Sequence, residues 1–301
     1  MGDDGEGSTA LHLACDDLRT HSITLSVCRR QTQNLRVSEG IPVPLPDPAV
    51  LTLLIGGAVV AGWIDAVVGG GGLVLIPLLL IVFPSMAPAT ALGTNKLTAI
   101  WGTATAAVLY LRRVPVDRGL AAASVPVAAS CAALGALAAG ALSSDVMRPV
   151  VIVLMVAVGL FVARRPEFGS ASAAGSRPIR RGRYAAALVA FGVIGFYDGI
   201  FGPGTGMFLI ITLTALLGQS FLTSATLAKV ANTATNGGAL VVFAVQGDVW
   251  WTLGAILAAA NIAGSVLGST LVLGRGTGVV RVALLVVVVV MAGKLTYDQF
   301  W

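Results

Sequence analysis

Long apolar stretches follow one another along this chain from residue 49, with short polar gaps between them. They cover residues 49–68, 72–83, 88–111, 119–140, 147–163, 184–201, 205–217, 222–246, 250–273 and 279–296. Most approach the roughly 20 residues that an α-helix needs to cross the hydrocarbon core of a bilayer. Lipid cannot satisfy exposed backbone groups, so the pattern predicts helices. We therefore expect an all-α protein, a polytopic transmembrane helical bundle with eight to ten membrane segments.

Two of these stretches, 72–83 and 205–217, are short, and a glycine-rich break precedes each of them. The breaks read Gly69-Gly70-Gly71-Gly72 and Gly202-Pro203-Gly204-Thr205-Gly206. Where a helix is broken, the new N-terminus has unpaired backbone N–H groups and a positive dipole end. Such ends bind anions readily. The breaks therefore predict two broken or re-entrant helices whose ends are able to hold an anion.

The two breaks occupy matching places in a duplicated chain. Shifting the sequence against itself by 133 residues aligns Asp65 with Asp198 and Lys96 with Lys229. One gap-free offset that pairs scarce charges within apolar sequence indicates an internal repeat. We predict tandem repeats over residues 49–163 and 184–301. Broken helices at matching places in two repeats point to the central site of a transporter.

The segment between the repeats, residues 164–183, is rich in Arg, Ser, Gly and Pro. Loops on the cytoplasmic side carry an excess of Arg and Lys, so we expect this linker to be cytoplasmic. The basic loop around residues 112–118 falls on the same side. Its counterpart in the second half, around Gly247 and Asp248, has no basic residue. This difference favours repeats that are inverted in the membrane.

Residues 1–48 differ from the rest of the chain. They are polar, mix both signs of charge and end in a run of prolines. Such a segment cannot bury enough apolar surface to fold alone, and it has no apolar run of the kind found in a signal peptide. We expect a disordered N-terminal extension, with a regulatory cytoplasmic tail as the alternative.

The composition agrees with lipid as the surrounding medium. Of the 301 residues, 56% are hydrophobic and 11% are charged, and the mean hydropathy is +0.89. The net charge of +5 comes largely from arginines grouped between the apolar stretches, which is typical of membrane borders and unlike a nucleic-acid-binding face. We expect a multi-pass protein of the cell membrane that does not bind nucleic acid.

Several function classes are disfavoured by missing residue types. The two histidines, His12 and His21, precede the apolar region, and the three cysteines lack metal-ligand spacing. We therefore expect no metal, no cofactor and no enzymatic activity. The second break lacks the Gly-Lys-Ser/Thr ending of a nucleotide-binding loop, and no soluble ATPase domain follows, so no ATPase subunit is implied. Transport would then be driven by an ion gradient or by the gradient of the substrate.

Four charged residues stand out within the apolar stretches: Asp65, Lys96, Asp198 and Lys229. Placing such a charge in a bilayer costs about 2.5–3.5 kcal/mol on insertion scales, and intramembrane charges usually have a function. Each lysine has uncharged hydrogen-bonding residues nearby. Lys229, Asn232 and Asn236 share one helix face by their spacing. A cation among uncharged donors suits a small oxyanion held near the membrane midplane.

The candidate substrate-binding residues are the two lysines, the neighbouring amide and hydroxyl side chains, and the residues of the two breaks. They are Lys96, Lys229, Asn95, Thr98, Asn232, Asn236, Gly69, Gly70, Gly71, Gly72, Gly202, Gly204, Thr205 and Gly206. Asp65 and Asp198, each four residues before a break, are candidates for orienting the backbone or exchanging protons. The alternative is that the aspartates lie at the membrane surface.

The lysines also have an alternative role. Lys96 or Lys229 could form a buried ion pair with one of the duplicated aspartates, which would fix the register of the helices. Both roles hold together if the substrate displaces the aspartate from its lysine.

Together these motifs resemble the TauE/SafE family of membrane transporters, often described as sulfite exporters. The resemblance runs from about residue 50 to the C-terminus. It depends on the paired glycine breaks, on Thr94-Asn95-Lys96, and on Lys229 with Asn232 and Asn236. It implies export of sulfite, sulfoacetate or related sulfur-containing anions, coupled to protons. A transporter of another solute that uses Asp65 and Asp198, and a non-transporting membrane scaffold, are the alternatives.

Overall fold

The computed structural model describes residues 45–140, 147, 149, 150, 153 and 181–275. Residues 1–44, most of the predicted stretch 147–163, the linker up to residue 180 and the predicted stretch 279–296 lie outside the described part. Within that part the chain forms eight α-helices and no strand, which confirms the all-α prediction.

The eight helices fall into two groups of four, one before and one after the linker. In the first group, α1 is Pro48–Val68, α2 is Gly72–Val82, α3 is Pro88–Leu111 and α4 is Arg118–Gly140. In the second group, α5 is Arg181–Ile200, α6 is Thr205–Leu217, α7 is Phe221–Val245 and α8 is Trp251–Arg275. The predicted stretches match these bounds to within about three residues. The largest difference is at the start of α5, which begins at Arg181 instead of the predicted residue 184. Arginine is a good helix former, but its low hydropathy ends an apolar stretch.

The lengths of the helices divide them into spanning and non-spanning elements. Four are long and apolar enough to cross a membrane: Pro48–Val68, Arg118–Gly140, Arg181–Ile200 and Trp251–Gly274. Helices α2 and α6 have 11 and 13 residues, which at 1.5 Å per residue gives about 17 and 20 Å. Neither covers the roughly 30 Å hydrocarbon core alone. Helix α3 has 24 residues and contains Lys96, and helix α7 has 25 residues and contains Lys229.

The packing of the helices is reciprocal between the two groups. Helix α1 packs along α8, and α5 packs along α4, so the first helix of each group lies against the last helix of the other. Helix α3 contacts α8 as α7 contacts α4, and α3 and α7 contact each other. Each helix of the second group starts 133 residues after its counterpart in the first. The tandem repeat itself stays a prediction, and exchanged contacts are what a two-fold arrangement of similar halves produces.

Small residues bring these helix pairs together. On α8, side chains added at Gly264 and Gly268 would overlap the carbonyl oxygens of Val59 and Trp63 on α1. Small residues at four-residue spacing thus let the two helix backbones approach closely. The matching pair of helices uses the same device, since Gly135 of α4 lies against the Phe196 carbonyl of α5.

Candidate functional site

The first helix break follows α1. Gly69 adopts a positive φ of 85°, a conformation that glycine takes at no steric cost. Its N–H donates to the Asp65 carbonyl oxygen at 2.8 Å and closes the helix. The Gly71 N–H, at the start of α2, donates to the Asp65 carboxylate Oδ1 at 3.2 Å. Asp65 therefore contacts both sides of the break, through its main chain and its side chain.

The second break follows α5 and contains two glycines with positive φ, Gly202 at 87° and Gly204 at 81°. Helix α6 then begins at Thr205. The Tyr197 hydroxyl donates to the Pro203 carbonyl oxygen at 2.7 Å. The ring of Tyr197 also packs against Phe208 of α6, with 5.6 Å between ring centroids. This break is thus supported from the preceding helix turn and from the helix that follows.

The two breaks touch each other in the interior. A Cβ atom on Gly69 would lie 2.5 Å from the Gly206 Cα, and one on Gly206 would lie 2.5 Å from the Gly69 Cα. Real Cβ atoms do not approach that closely, so neither position accepts a side chain without movement. Two segments that are far apart in sequence therefore form a single site.

Lys96 forms a close ion pair with Asp198 at this site. The Lys96 Nζ lies 2.7 Å from the Asp198 Oδ2, and both side chains are 2% exposed. The other carboxylate oxygen, Oδ1, accepts a hydrogen bond from the Thr205 hydroxyl at 2.6 Å. The same hydroxyl lies 2.9 Å from the Gly202 carbonyl oxygen. Both oxygens of the carboxylate thus have side-chain donors.

Lys229 and Asp65 form a looser pair. The Lys229 Nζ lies 3.6 Å from the Asp65 Oδ2, with the lysine side chain 0% and the aspartate side chain 11% exposed. The Lys229 ammonium donates instead to the Asp65 main-chain carbonyl oxygen. Lys229 therefore sits at the C-terminal end of α1, where the helix dipole favours a positive charge.

Each lysine thus meets the aspartate of the other half of the chain. This is the geometry of the alternative in which buried Lys–Asp pairs fix the packing of the helices. Both aspartates are buried within the protein, with Asp65 7% and Asp198 2% exposed. Each carboxylate also lies at the N-terminus of a short helix, where the positive end of the dipole favours an anion.

The other predicted residues lie at different distances from the breaks. Asn95 is buried, with its Nδ2 atom 3.6 Å from a Cβ placed on Gly72. Asn232 and Asn236 are buried on α7, as Lys229 is, and the Asn232 Oδ1 accepts from Thr235 at 3.3 Å. Gly70, Gly204 and Gly206 are buried where the breaks were expected, and Gly72 and Gly202 are partly buried.

Within the described residues, the Thr98 hydroxyl makes its hydrogen bonds away from the two breaks. Its hydroxyl donates to the carbonyl oxygens of Thr94 at 3.0 Å and Gly254 at 3.3 Å. The Thr94 hydroxyl accepts from the Trp250 N–H at 3.0 Å. These two threonines therefore hold α3 against α8 and the loop before it.

Sequence reasoning missed two tyrosines that support the site. The buried Tyr110 hydroxyl donates to the Ala66 carbonyl oxygen at 2.8 Å, and so holds the end of α1 from α3. Tyr197 has the corresponding role at the second break. Tyr197 directly precedes Asp198 in the sequence, and this position next to a candidate site residue could have indicated its role. Tyr110 lies 44 residues from its partner, and no spacing rule links the two.

An apolar groove of about 590 Å³ between α4 and α5 is a poor candidate for an anion site. Its lining consists of Val127, Cys131, Leu188, Val189, Gly192, Val193 and Phe196. An anion requires hydrogen-bond donors or positive charge, and these side chains supply neither in useful strength. Val189, Val193 and Phe196 are exposed in this groove, as expected for side chains that contact lipid.

Comparison with known proteins identifies the family. The model described as "Sulfite exporter TauE/SafE" matches residues 54–295. The chain belongs to this family. With the spanning helices described above, family membership makes it a multi-pass membrane transporter, and the resemblance seen in the sequence is confirmed.

Similar curated proteins are named as membrane transporters as well. The chain is 34% identical over 253 residues to the probable membrane transporter protein YfcA of Escherichia coli strain K12, covering 84% of this chain and 92% of the relative. It is 32% identical over 249 residues to the probable membrane transporter protein ORF9 of Sinorhizobium sp, covering 83% and 93%. A probable membrane transporter protein of Haemophilus influenzae is 34% identical, covering 80% and 92%. No solved structure matches the chain.

Proposed function

We propose that this TauE/SafE member is a secondary transporter that exports small anions, sulfite or organosulfonates, across the cell membrane with coupling to protons. The observation that carries the proposal is the pair of buried Lys–Asp contacts at two touching helix breaks. The family description adds the sulfur-containing substrate class. The basic linker over residues 164–183 is proposed to be cytoplasmic.

Protonation of an aspartate provides the coupling. As a carboxylate, Asp65 or Asp198 satisfies its lysine and the N-terminal end of a short helix, so an anion has to compete with it. As a neutral carboxyl group, the aspartate no longer neutralises the lysine. An anion can then bind the ammonium group and the helix end together, as charge-assisted hydrogen bonds favour. A proton and an anion thus bind to the same state of the protein.

The neighbouring amides suit an oxyanion. Sulfite and sulfonate groups present several oxygen acceptors at once. The Asn95 amide lies beside Gly72 at the first break, and Asn232 and Asn236 continue the polar face of α7 beyond Lys229. Amide donors and an ammonium group together can satisfy such a group once it has left water.

The test is efflux of labelled sulfite from proteoliposomes, with a pH gradient switched on and off. We expect gradient-dependent efflux from the wild-type protein. The Lys229→Gln variant should lose efflux to background while still inserting into the membrane, because the buried site loses its cation. Arg112→Gln, which removes a positive charge from an exposed position after α3, is the matched control and should retain efflux. Unchanged efflux by Lys229→Gln would remove the lysine from the substrate site.

A transporter of a different solute remains the second candidate, because both carboxylates lie buried at the helix breaks. In that case the aspartates would bind the solute, and the lysines would serve as their counter-ions. Loss of transport on changing Asp65 and Asp198 to Asn, with transport retained on changing the lysines to Gln, distinguishes this candidate from anion export.

A further inference from the structure

We infer that the two ion pairs have different roles: Asp65–Lys229 is the pair that opens to admit the anion, and Asp198–Lys96 is a fixed pair. This inference rests on the proposed anion transport and specifies which of the two sites responds to substrate. Thr205 acts as the positioning residue that makes the fixed pair rigid.

The fixed pair is satisfied at every polar atom of the carboxylate. The Asp198 Oδ2 accepts from Lys96 at 2.7 Å, and its Oδ1 accepts from Thr205 at 2.6 Å. Hydrogen bonds to charged groups are stronger than those between neutral groups. An incoming anion would have to replace both, at a carboxylate that is 2% exposed.

The other pair lacks these restraints. The Asp65 Oδ2 lies 3.6 Å from the Lys229 Nζ, beyond hydrogen-bond distance, and its Oδ1 accepts a backbone N–H at 3.2 Å. The Asp65 side chain is 11% exposed, against 2% for Asp198. Less free energy is therefore needed to move this carboxylate away from its lysine.

The difference has its origin in one position of the sequence. At the offset of 133 residues, the counterpart of Thr205 is Gly72. Glycine supplies no hydroxyl, so Asp65 has no donor equivalent to the Thr205 side chain. Position 72 also has room for a small side chain. A Cβ placed on Gly72 would meet its nearest atoms at 3.4 Å on Ile76 and 3.6 Å on Asn95, which are tolerable contacts.

Lys229 is prepared to accept a new partner. Its ammonium group donates to the Asp65 main-chain carbonyl oxygen, so the lysine stays anchored when the carboxylate moves. An ammonium group has three N–H donors, and within the described residues Lys229 makes this one hydrogen bond. Lys96 instead depends on the Asp198 carboxylate for its hydrogen bond.

The charged and titratable neighbours differ little between the two aspartates within the described residues. Lys229 of α7 and Tyr110 of α3 face Asp65. Lys96 of α3 and Tyr197 of its own helix face Asp198. Each aspartate thus has one lysine and one tyrosine nearby. The two pairs differ at the matching positions 72 and 205, where Thr205 supplies a hydroxyl donor and Gly72 does not.

The test compares Asp65→Asn with Asp198→Asn, using exchange of a labelled alkanesulfonate across proteoliposomes at a series of pH values. The single negative charge of a sulfonate does not change over this series, so any pH dependence belongs to the protein. Asparagine imitates the neutral carboxyl group. We expect exchange by Asp65→Asn to become independent of pH, since the responsive carboxylate is gone. Exchange by Asp198→Asn should fall and keep its pH dependence. The reverse assignment, or equal loss of pH dependence in both variants, overturns the inference and leaves anion transport standing.

A second pair of variants preserves all four charged residues. Gly72→Ser places a hydroxyl at the position that matches Thr205. If it donates to Asp65 as Thr205 donates to Asp198, the KM for sulfite should rise about 10-fold, the effect of one added hydrogen bond to a charged group. Thr205→Val removes the hydroxyl from the fixed pair and should lower the transport rate without raising that KM, while Thr205→Ser restores the rate. An unchanged KM in Gly72→Ser overturns the inference. Absence of sulfite exchange by the wild-type protein under every gradient overturns the proposed function, and this inference with it.

Discussion

At the scale of single residues, the energetic effect of each charged side chain of the site depends on its partner in an ion pair. Removing one partner of a buried ion pair leaves an uncompensated charge and costs about 3–5 kcal/mol, whereas replacing both partners is often tolerated. The pairs Lys96–Asp198 and Lys229–Asp65 are therefore weak evidence for stability as such. Their placement at two helix breaks is the stronger indication of function, because each carboxylate lies where an anion is favoured.

A carboxyl group outside the spanning helices makes stability depend on pH. Asp248 lies in the loop between α7 and α8 and accepts the Thr90 hydroxyl at 3.2 Å. Burial raises the pKa of Asp248 above its ordinary value, and the hydrogen bond from Thr90 opposes that rise. The folded protein thus holds this proton more tightly than the unfolded chain. Its contribution to stability is present below the ordinary aspartate pKa and is lost as pH rises through the raised value.

We expect Asp248→Asn to remove this contribution to the pH dependence. Thermal unfolding of the detergent-solubilised protein, measured from about pH 4 to 8, should show a smaller decrease of Tm with rising pH than the wild type. Thr90→Val is the companion variant. It removes the opposing hydrogen bond, so the decrease should move to higher pH. Identical curves for wild type and Asp248→Asn would contradict the assignment.

The sequence identified the charged residues of the site but not their partners. Scarcity within apolar stretches marks Asp65, Lys96, Asp198 and Lys229 without any structure. Pairing is a long-range property, since Lys96 and Asp198 lie 102 residues apart. Thr98 is a candidate because it lies close to Lys96 in sequence, and the contact of its hydroxyl with α8 could not be predicted from that spacing.

At the scale of helices, the pattern of apolar stretches predicted bounds well because lipid-compatible helices require long uninterrupted runs. Glycine breaks were visible for a similar reason, since few other residues adopt the positive φ seen at Gly69 and Gly202. The choice of packing partner was not predictable. Helix α1 lies against α8, the last described helix, and no local pattern encodes that contact.

Helix contacts through glycine provide a prediction at this scale. A methyl group on Gly264 of α8 would overlap the Val59 carbonyl oxygen of α1. We expect Gly264→Ala to separate the two helices and to destabilise the protein by about 1–3 kcal/mol, as overpacking does. The shift in Tm in detergent measures this effect.

Gly56 offers a matched control on the partner helix. It lies within α1, and an added Cβ would meet no atom within 4 Å. Gly56→Ala should be neutral or stabilising by up to about 1 kcal/mol, because alanine favours the helix over glycine. Equal destabilisation by both substitutions would attribute the effect to glycine flexibility instead of close packing.

At the scale of the whole molecule, the reciprocal contacts join the two halves into one unit. Each half contributes its first helix to the last helix of the other, and each lysine to the other half's aspartate. Among the described helices, the largest contacts and both Lys–Asp pairs therefore join one half to the other. A movement of α7 relative to α1 would separate Lys229 from Asp65, so the opening of this pair depends on the packing of helices from both halves.

The orientation of the halves provides the last prediction. A two-fold relation between similar halves is compatible with parallel or inverted repeats, and the charges favour inversion. The loop after α3 carries Arg112 and Arg113, while the matching loop after α7 has Gln246 and Asp248 and no basic residue. By the positive-inside rule, the first loop is expected in the cytoplasm and the second on the opposite side.

Arg113 and Gln246 are matching positions under the offset of 133 residues, and both are exposed. In a chain whose three native cysteines are replaced, Arg113→Cys and Gln246→Cys each introduce one thiol at the same place in the two halves. A membrane-impermeant maleimide added to intact cells should label Gln246→Cys and should reach Arg113→Cys only after the membrane is opened. Labelling of both from one side would show parallel repeats. In inverted repeats, the two touching breaks related by the two-fold axis would each face an opposite side of the membrane, as alternating access to one site requires.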